Sequence, residues 1–216
     1  LGGVVRRHPA LNFGFMEGGV GWACTLYADL IAHWEKRRKA GLQFPSRTDV
    51  DQLRQLVDRY GDDRLKAGFD DILDNLDAFR PWVSLEDHER RQDIHDDFEA
   101  SGVTTKQELK AAYTNNFYFG CEADDPATMW AFDPRLGARL RPLFSSDFTH
   151  FDVPDFEEVL PEAYEMVEKG FLTDQDFREF TFTNAARLHA SMNPNFFTGT
   201  VVEGQVAQEL GQPVPA

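Results

Sequence analysis

Three carboxylates, Glu17, Glu122 and Asp147, each stand directly after a short apolar run rich in aromatic residues: Asn12-Phe-Gly-Phe-Met16, Asn116-Phe-Tyr-Phe-Gly-Cys121 and Pro142-Leu-Phe-Ser-Ser146. Such runs read as β-strands, so each acid sits at a strand end. In barrels of alternating strands and helices, side chains at the carboxyl ends of the strands face the active-site mouth. An acid recurring there is better placed for a metal or a substrate than for a core. The third run continues as Ser145-Ser-Asp-Phe-Thr-His-Phe-Asp152, which adds a histidine and a further acid within five residues of Asp147.

The elements that would position these acids follow a strand–helix rhythm. After the turn Glu17-Gly-Gly-Val-Gly21, residues Trp22 to Lys39 place Trp22, Leu26, Leu30 and Trp34 on one helical face, and Gly41 ends the helix. Thr105-Lys-Gln-Glu108 caps a short helix, Phe117 to Phe119 form the next strand, and Pro126 to Phe132 make a brief helical return. The third strand runs into Asp147, and Phe156 to Lys169 supply its helix. Thr173-Asp-Gln-Asp176 opens another helix through Phe180 to Leu188, and the final residues, rich in Gly and Pro, wrap the outside. No internal repeat is evident.

Between these units lies a stretch of a different kind. Residues Asp49 to Glu99 hold 16 acids and 7 bases, a net −9 of the chain's −15. Apolar residues recur there at helical spacing: Leu53, Leu56, Val57 and Tyr60 on one helix, Leu65, Phe69, Ile72, Leu73 and Leu76 on a second. Phe79-Arg-Pro-Trp82 breaks the pattern, and Ser84-Leu-Glu-Asp87 offers a capping box for a third. The stretch reads as a helical insertion with an acidic solvated face over an apolar stripe, or as a docking surface for a basic partner. The expected organisation is a strand–helix unit over residues 1–48, a helical acidic insertion over 49–104, and the remaining barrel units with a C-terminal helix and tail over 105–216.

Only about three barrel-type strands are present where a closed (β/α)8 barrel needs about eight. The sequence opens Leu1-Gly-Gly-Val-Val-Arg-Arg-His-Pro-Ala-Leu, which reads like the end of a helix feeding the first strand. The expected fold is therefore α/β: the C-terminal part of a TIM-like (β/α)8 barrel with a helical insertion, completed by strands from outside this chain. A part-barrel leaves open sheet edges, so a polypeptide supplying the N-terminal barrel strands, and an oligomeric assembly, are expected.

Composition narrows the function classes. Hydrophobic residues make up 42% and mean hydropathy is −0.47, with no run near the ~18 apolar residues of a membrane span and no charged-then-apolar leader. The expectation is a soluble, cytoplasmic protein with no membrane partner. A net charge of −15 opposes a polyanion, so no nucleic-acid partner is expected. Cys24 and Cys121 belong to no metal-binding or redox spacing and read as buried thiols. No Gly-x-Ser-x-Gly elbow occurs, so a Ser-His-Asp triad is not suggested.

Three segments, Gly14-Phe-Met-Glu-Gly-Gly-Val-Gly-Trp22, Ser145-Ser-Asp-Phe-Thr-His-Phe-Asp152 and Phe180-Thr-Phe-Thr-Asn-Ala-Ala-Arg-Leu188, resemble in order and spacing the sixth strand, eighth strand and closing helix of the amidohydrolase-like metal-dependent hydrolases and decarboxylases. Glu122 falls on the seventh strand between them. The resemblance implies a metal-dependent TIM-like barrel, in which a first-strand His-x-His pair and a fifth-strand His bind a divalent metal, zinc as the first choice, with the eighth-strand Asp. Asp147 matches that Asp. None of the six histidines forms a His-x-His pair, so the first-strand ligands would have to come from elsewhere. Many relatives carry His where Glu17 stands; a carboxylate is a harder, anionic ligand and cannot donate a hydrogen bond unless protonated.

The candidate roles follow. A carboxylate beside a divalent cation can ligate it and take a proton from metal-bound water, whose pKa the cation lowers. Asp147 is the candidate for both roles, against a plain helix-capping acid. Glu17 is a second metal ligand or a turn acid bonding the amides of Gly18 and Gly19. His150, in the place of a recurring family histidine, is a second catalytic residue or a structural histidine bonding a loop carbonyl. Trp22 walls an aromatic substrate pocket or belongs to the core, and Glu122 contacts substrate or is a loop acid. The expected activity is hydrolysis, or decarboxylation by a lyase, of a small cyclic or aromatic carboxylic compound. The alternative is a non-catalytic half-barrel partner.

Overall fold

Each of the three aromatic runs becomes a strand. The computed structural model describes residues 2–38, 49–74 and 97–211, which fall into two compact units, residues 1–33 with 100–216, and residues 34–99. In the first unit a short helix α1 (Val4–Arg7) leads into β1 (Phe13–Phe15), followed by α2 (Gly21–Arg37), whose last turn falls in the second unit. After a 3₁₀ turn (Glu99–Ser101) come α3 (Lys106–Thr114), β2 (Phe117–Cys121) and two 3₁₀ turns (Pro126–Ala131 and Pro134–Leu136). Then follow β3 (Pro142–Phe144), α4 (Val159–Glu168), α5 (Asp174–Arg178), a π-helical turn (Glu179–Thr183), α6 (Asn184–Ala190) and α7 (Glu203–Glu209).

The strands form one parallel sheet in the order β1-β2-β3. Phe13 pairs with Phe117 and Phe15 with Phe119, while Phe119 pairs with Pro142 and Cys121 with Phe144. Parallel pairing requires a crossover between successive strands: the β1–β2 connection contains α2 and α3, and the β2–β3 connection two 3₁₀ turns, which gives an α/β architecture. The sheet is consistent with part of a larger parallel-strand fold.

Side-chain alternation splits the core into two layers. Phe119 and Cys121 face Val20, Ala23, Cys24 and Tyr27, whereas Tyr118 and Leu143 turn the other way and meet Leu188 of α6. Phe144 packs edge-on against Phe180 at 5.7 Å. Asn184, 1% exposed, donates to the Pro142 carbonyl at 2.9 Å and thereby ties the closing helix to β3.

Local signals set several of the helix and turn starts. Thr105 and Glu108 form the expected reciprocal capping box on α3, and Thr173 and Asp176 form another on α5. The Pro126 run is a 3₁₀ turn capped by Asp125, whose carboxylate accepts from the Ala127 amide. Three details differ from sequence expectation. The helix after β3 begins at Val159 rather than Phe156, and the closing helix from Phe180 opens with a π turn. Residues 203–209, in the expected tail, form a helix of their own.

In the second unit, two helices, Val50–Tyr60 and Asp63–Asp74, correspond to the first two expected in the acidic stretch. Asp49 caps the first through the Gln52 amide at 2.8 Å, and Arg54 pairs with Asp70 at 2.7 Å. Of the expected apolar stripe, Phe69 is the one buried member among the described residues; Leu56, Tyr60, Leu65 and Ile72 are exposed, and Leu76 lies outside the described residues. No strand occurs among its described residues. The Phe79-Arg-Pro-Trp82 break and the expected third helix lie outside the described residues. No helix among the described residues is long and apolar enough to cross a membrane.

Asn116 fastens the entry to β1. It is 8% exposed, and its Nδ2 donates to the carbonyls of Pro9 at 2.9 Å and Leu11 at 2.8 Å. Replacing Asn116 by Ala strands both acceptors, so urea denaturation of Asn116→Ala is expected to show a loss of about 1–3 kcal/mol. A loss within the error of the wild-type value would show that these bonds do not hold the segment.

Candidate functional site

Because the three strands run parallel, their carboxyl ends lie level on one side of the sheet. Glu122 follows β2 immediately, Glu17 comes two residues after β1, and Asp147 three residues after β3. Two backbone bonds carry the strand pairing beyond the strands. The Gly19 amide donates to the Gly120 carbonyl at 2.9 Å, and the Ser145 amide to the Cys121 carbonyl at 2.8 Å. The end of β2 therefore anchors both flanking loops. Gly120 leaves room for this: a Cβ there would lie 3.1 Å from both the Glu17 amide nitrogen and the Met16 Cα, a tight approach.

Backbone conformation singles out the same end of the sheet. Among the described residues, the non-glycine residues with positive φ are Glu17 at 60°, Asp147 at 47° and Thr149 at 81°. Left-handed backbone costs of order 1–3 kcal/mol at a non-glycine residue, and it clusters at sites where geometry serves function. For a β-branched residue such as Thr149 it is a true outlier.

Asp147 and His150 are brought together. The Asp147 side chain is 23% exposed, and its Oδ2 lies 3.8 Å from His150 Nδ1. Its Oδ1 accepts a hydrogen bond from Ser145 Oγ at 2.9 Å, and its carbonyl accepts from the His150 amide at 2.9 Å. His150, half exposed, has a second acid within reach, Asp152 Oδ1 at 3.8 Å. These separations are ion-pair distances rather than hydrogen bonds. A proton could pass between the groups only after the pair tightens, as catalytic pairs do on binding substrate. The carbonyl of His150 accepts from the Val153 amide at 3.2 Å, closing the turn.

The other expected residues are placed differently. Glu17 is exposed, and it does not bond the Gly19 amide, which Gly120 takes. Glu122 is exposed beside Asp125, which serves as a cap and lies beneath the Gly19 turn. Trp22, 41% exposed, packs edge-on against Phe15 at 5.4 Å and Phe119 at 5.5 Å. It lines a cleft of about 1240 Å³ floored by Phe13, Phe15, Phe117 and Phe119, and none of Glu17, Glu122, Asp147 or His150 lines that cleft. Sequence reading overlooked Ser145 and Thr149. The available signal for Ser145 was its place two residues before an acid, where a hydroxyl readily bonds a nearby loop group.

The resemblance calls for a divalent metal. Among the described residues no group of three or more His, Cys, Asp or Glu is placed to hold one. These residues alone do not fit a metal centre; Asp147 would need ligands from elsewhere.

Cys121 and Cys24 are buried free thiols, as expected. Burial pushes Cys121 up to about 12 and Cys24 up to about 11, from an ordinary 9.0. Protonated thiols are poor nucleophiles, so neither cysteine is a catalytic candidate. No protein-family model, curated protein or solved structure matches this chain.

The thiol shifts carry a sign. The folded state holds these protons to higher pH than the unfolded state, so their stabilising contribution is complete below about pH 9 and is lost as pH rises toward 11 to 12. Unfolding free energy should therefore decline above pH 9, and less steeply in a Cys24→Ala, Cys121→Ala double variant. A pH profile of chemical denaturation checks this, with equal slopes in the two proteins counting against it.

Proposed function

We propose that the carboxyl end of this sheet is part of the active site of an amidohydrolase-type hydrolase or decarboxylase acting on a small cyclic or aromatic carboxylic compound. The observation that carries the reading is the coincidence of Glu17, Asp147 and Thr149, the described non-glycine residues with left-handed backbone, with the acid-bearing loops that follow the two outer strands, β1 and β3, of the parallel sheet. In this reading the missing strands and the remaining metal ligands come from polypeptide outside the described sheet, which would close a TIM-like barrel and cover both of its edges.

Within the site Asp147 is the proton acceptor. Its partly exposed carboxylate presents Oδ2 toward His150, and a proton collected there can be passed to the imidazole, which then serves as an acid to a leaving group or a carbanion. Asp152 presents its Oδ1 to the same nitrogen, His150 Nδ1, at 3.8 Å. Glu17, in the loop that follows β1 and crosses β2, adds negative charge at the same end and suits the cationic side of the reaction centre. The bound divalent ion, by the resemblance zinc, would supply the polarisation that these side chains lack.

A second reading, a non-catalytic half-barrel partner, is favoured by one observation: the described residues hold no three-ligand group. Metal analysis of the purified assembly separates the two, since stoichiometric zinc or another divalent ion is expected only for the enzyme.

Asp147→Asn keeps the shape and removes both charge and base. In the complete assembly at saturating metal, turnover of this variant should fall roughly 10²-fold or more with little loss of fold. Glu17→Gln should cost as much if Glu17 is a ligand and much less if it only shapes the turn. Turnover of Asp147→Asn close to wild type would leave the non-catalytic partner as the better account.

A further inference from the structure

We propose that Ser145 is the positioning residue that fixes the orientation of the Asp147 carboxylate. The inference rests on the reading of Asp147 as proton acceptor and assigns it a partner. Ser145 is itself fixed twice. It follows β3 directly, and its amide donates to the Cys121 carbonyl at 2.8 Å, so its backbone belongs to the sheet although it lies past the strand. Its Oγ then donates to Asp147 Oδ1 at 2.9 Å. With Oδ1 held, Oδ2 is the oxygen left facing His150 Nδ1 at 3.8 Å.

The chain reversal at Asp147, φ 47°, makes a bond between residues two apart reachable, and the bond in turn helps offset the strain of that conformation. The adjacent serine does something else. Ser146 Oγ accepts from the Phe148 amide at 3.4 Å and is exposed, so it shapes the loop without touching the carboxylate. A hydroxyl also suits the task chemically. It orients a carboxylate by a single bond yet brings no positive charge, whereas a Lys or Arg in its place would hold the acid strongly in its ionised form and blunt it as a base.

Side-chain NMR on the full chain tests this without a substrate. Three-bond couplings of Asp147 report its χ1 rotamer, its Cγ shift reports the hydrogen bond, and the imidazole nitrogen shifts of His150 at fixed pH report the neighbouring oxygen. Ser145→Ala should lose the single-rotamer couplings of Asp147 and move its Cγ resonance, Ser145→Thr should restore both, and Ser146→Ala should leave both as in wild type. Ser145→Cys, close in size but a weak donor, should behave like Ser145→Ala and stands in for it if the alanine disturbs the end of β3. A single, unchanged Asp147 rotamer in both the Ala and Cys variants would overturn the assignment. Asp147→Asn, read on the His150 nitrogens, tests the underlying pair separately. If those resonances do not move, the Asp147–His150 pairing falls and this inference with it; if they move while Ser145→Ala and Ser145→Cys change nothing, only the role of Ser145 is lost.

Discussion

The structure depends on the parallel pairing of β1 and β3 with the single central strand β2. That pairing holds three acid-bearing strand ends level, and it does not stop where the strands stop. Gly19 and Ser145 each donate one more backbone bond, to Gly120 and Cys121, so the loops on both sides are referenced to the same two residues. The absence of a side chain at Gly120 lets the Met16–Glu17 backbone fold across β2. Any Cβ there would compress that crossing to 3.1 Å.

The packed layers offset the cost of the strained loops. Left-handed Glu17, Asp147 and Thr149 together oppose folding by several kcal/mol, on the order of 1–3 each. Behind them Val20, Phe119, Cys121, Leu140 and Phe180 are all but inaccessible, and burial of each large apolar side chain contributes about 1.5–3 kcal/mol. The closing segment strengthens this arrangement: Thr183 Oγ1 donates to Glu209 at 2.9 Å, Arg178 pairs with the same carboxylate at 3.0 Å, and Asn184 reaches the Pro142 carbonyl. Burial raises the energy of the Glu209 carboxylate, but its bonds to Arg178 and Thr183 outweigh that and hold its pKa below the ordinary value.

Elements governed by local rules were legible in the sequence. The three aromatic runs are the three strands, because β-propensity and alternation act over a few residues, and Thr105 and Thr173 announce their capping boxes by spacing alone. What depended on long-range geometry was not legible. The apolar stripe of Leu56, Tyr60, Leu65 and Ile72 has helical periodicity yet remains exposed, because periodicity says which residues share a face and not what covers it. Asp147 and His150 could be read as neighbours from their three-residue spacing. The Ser145 bond was signalled only by a hydroxyl two residues before an acid, and whether the two meet depends on the loop conformation around Asp147. The place of Trp22 was likewise open: its helical face was clear, but only the tertiary packing sets it against Phe15 and Phe119 over a cleft apart from the acids.

That separation bears on how the proposed assembly would close. A parallel sheet is stable with both faces covered, and here the Phe13, Phe15, Phe117 and Phe119 face lines an apolar cleft, with Phe15, Trp22 and Leu26 each more than two-fifths exposed. Crossovers between parallel strands are right-handed in nearly all folds. A strand added in parallel to the free edge of β1 and joined to it by such a crossover would place its helix on the face where α2 already lies, over this cleft. The same added strand would bring its own carboxyl end level with Glu17, on the side of the sheet where the proposed metal site lacks ligands. Covering the aromatic face and completing the site would then be two consequences of one pairing, with the cleft as the seat of a helix and the acid-bearing end as the seat of the chemistry.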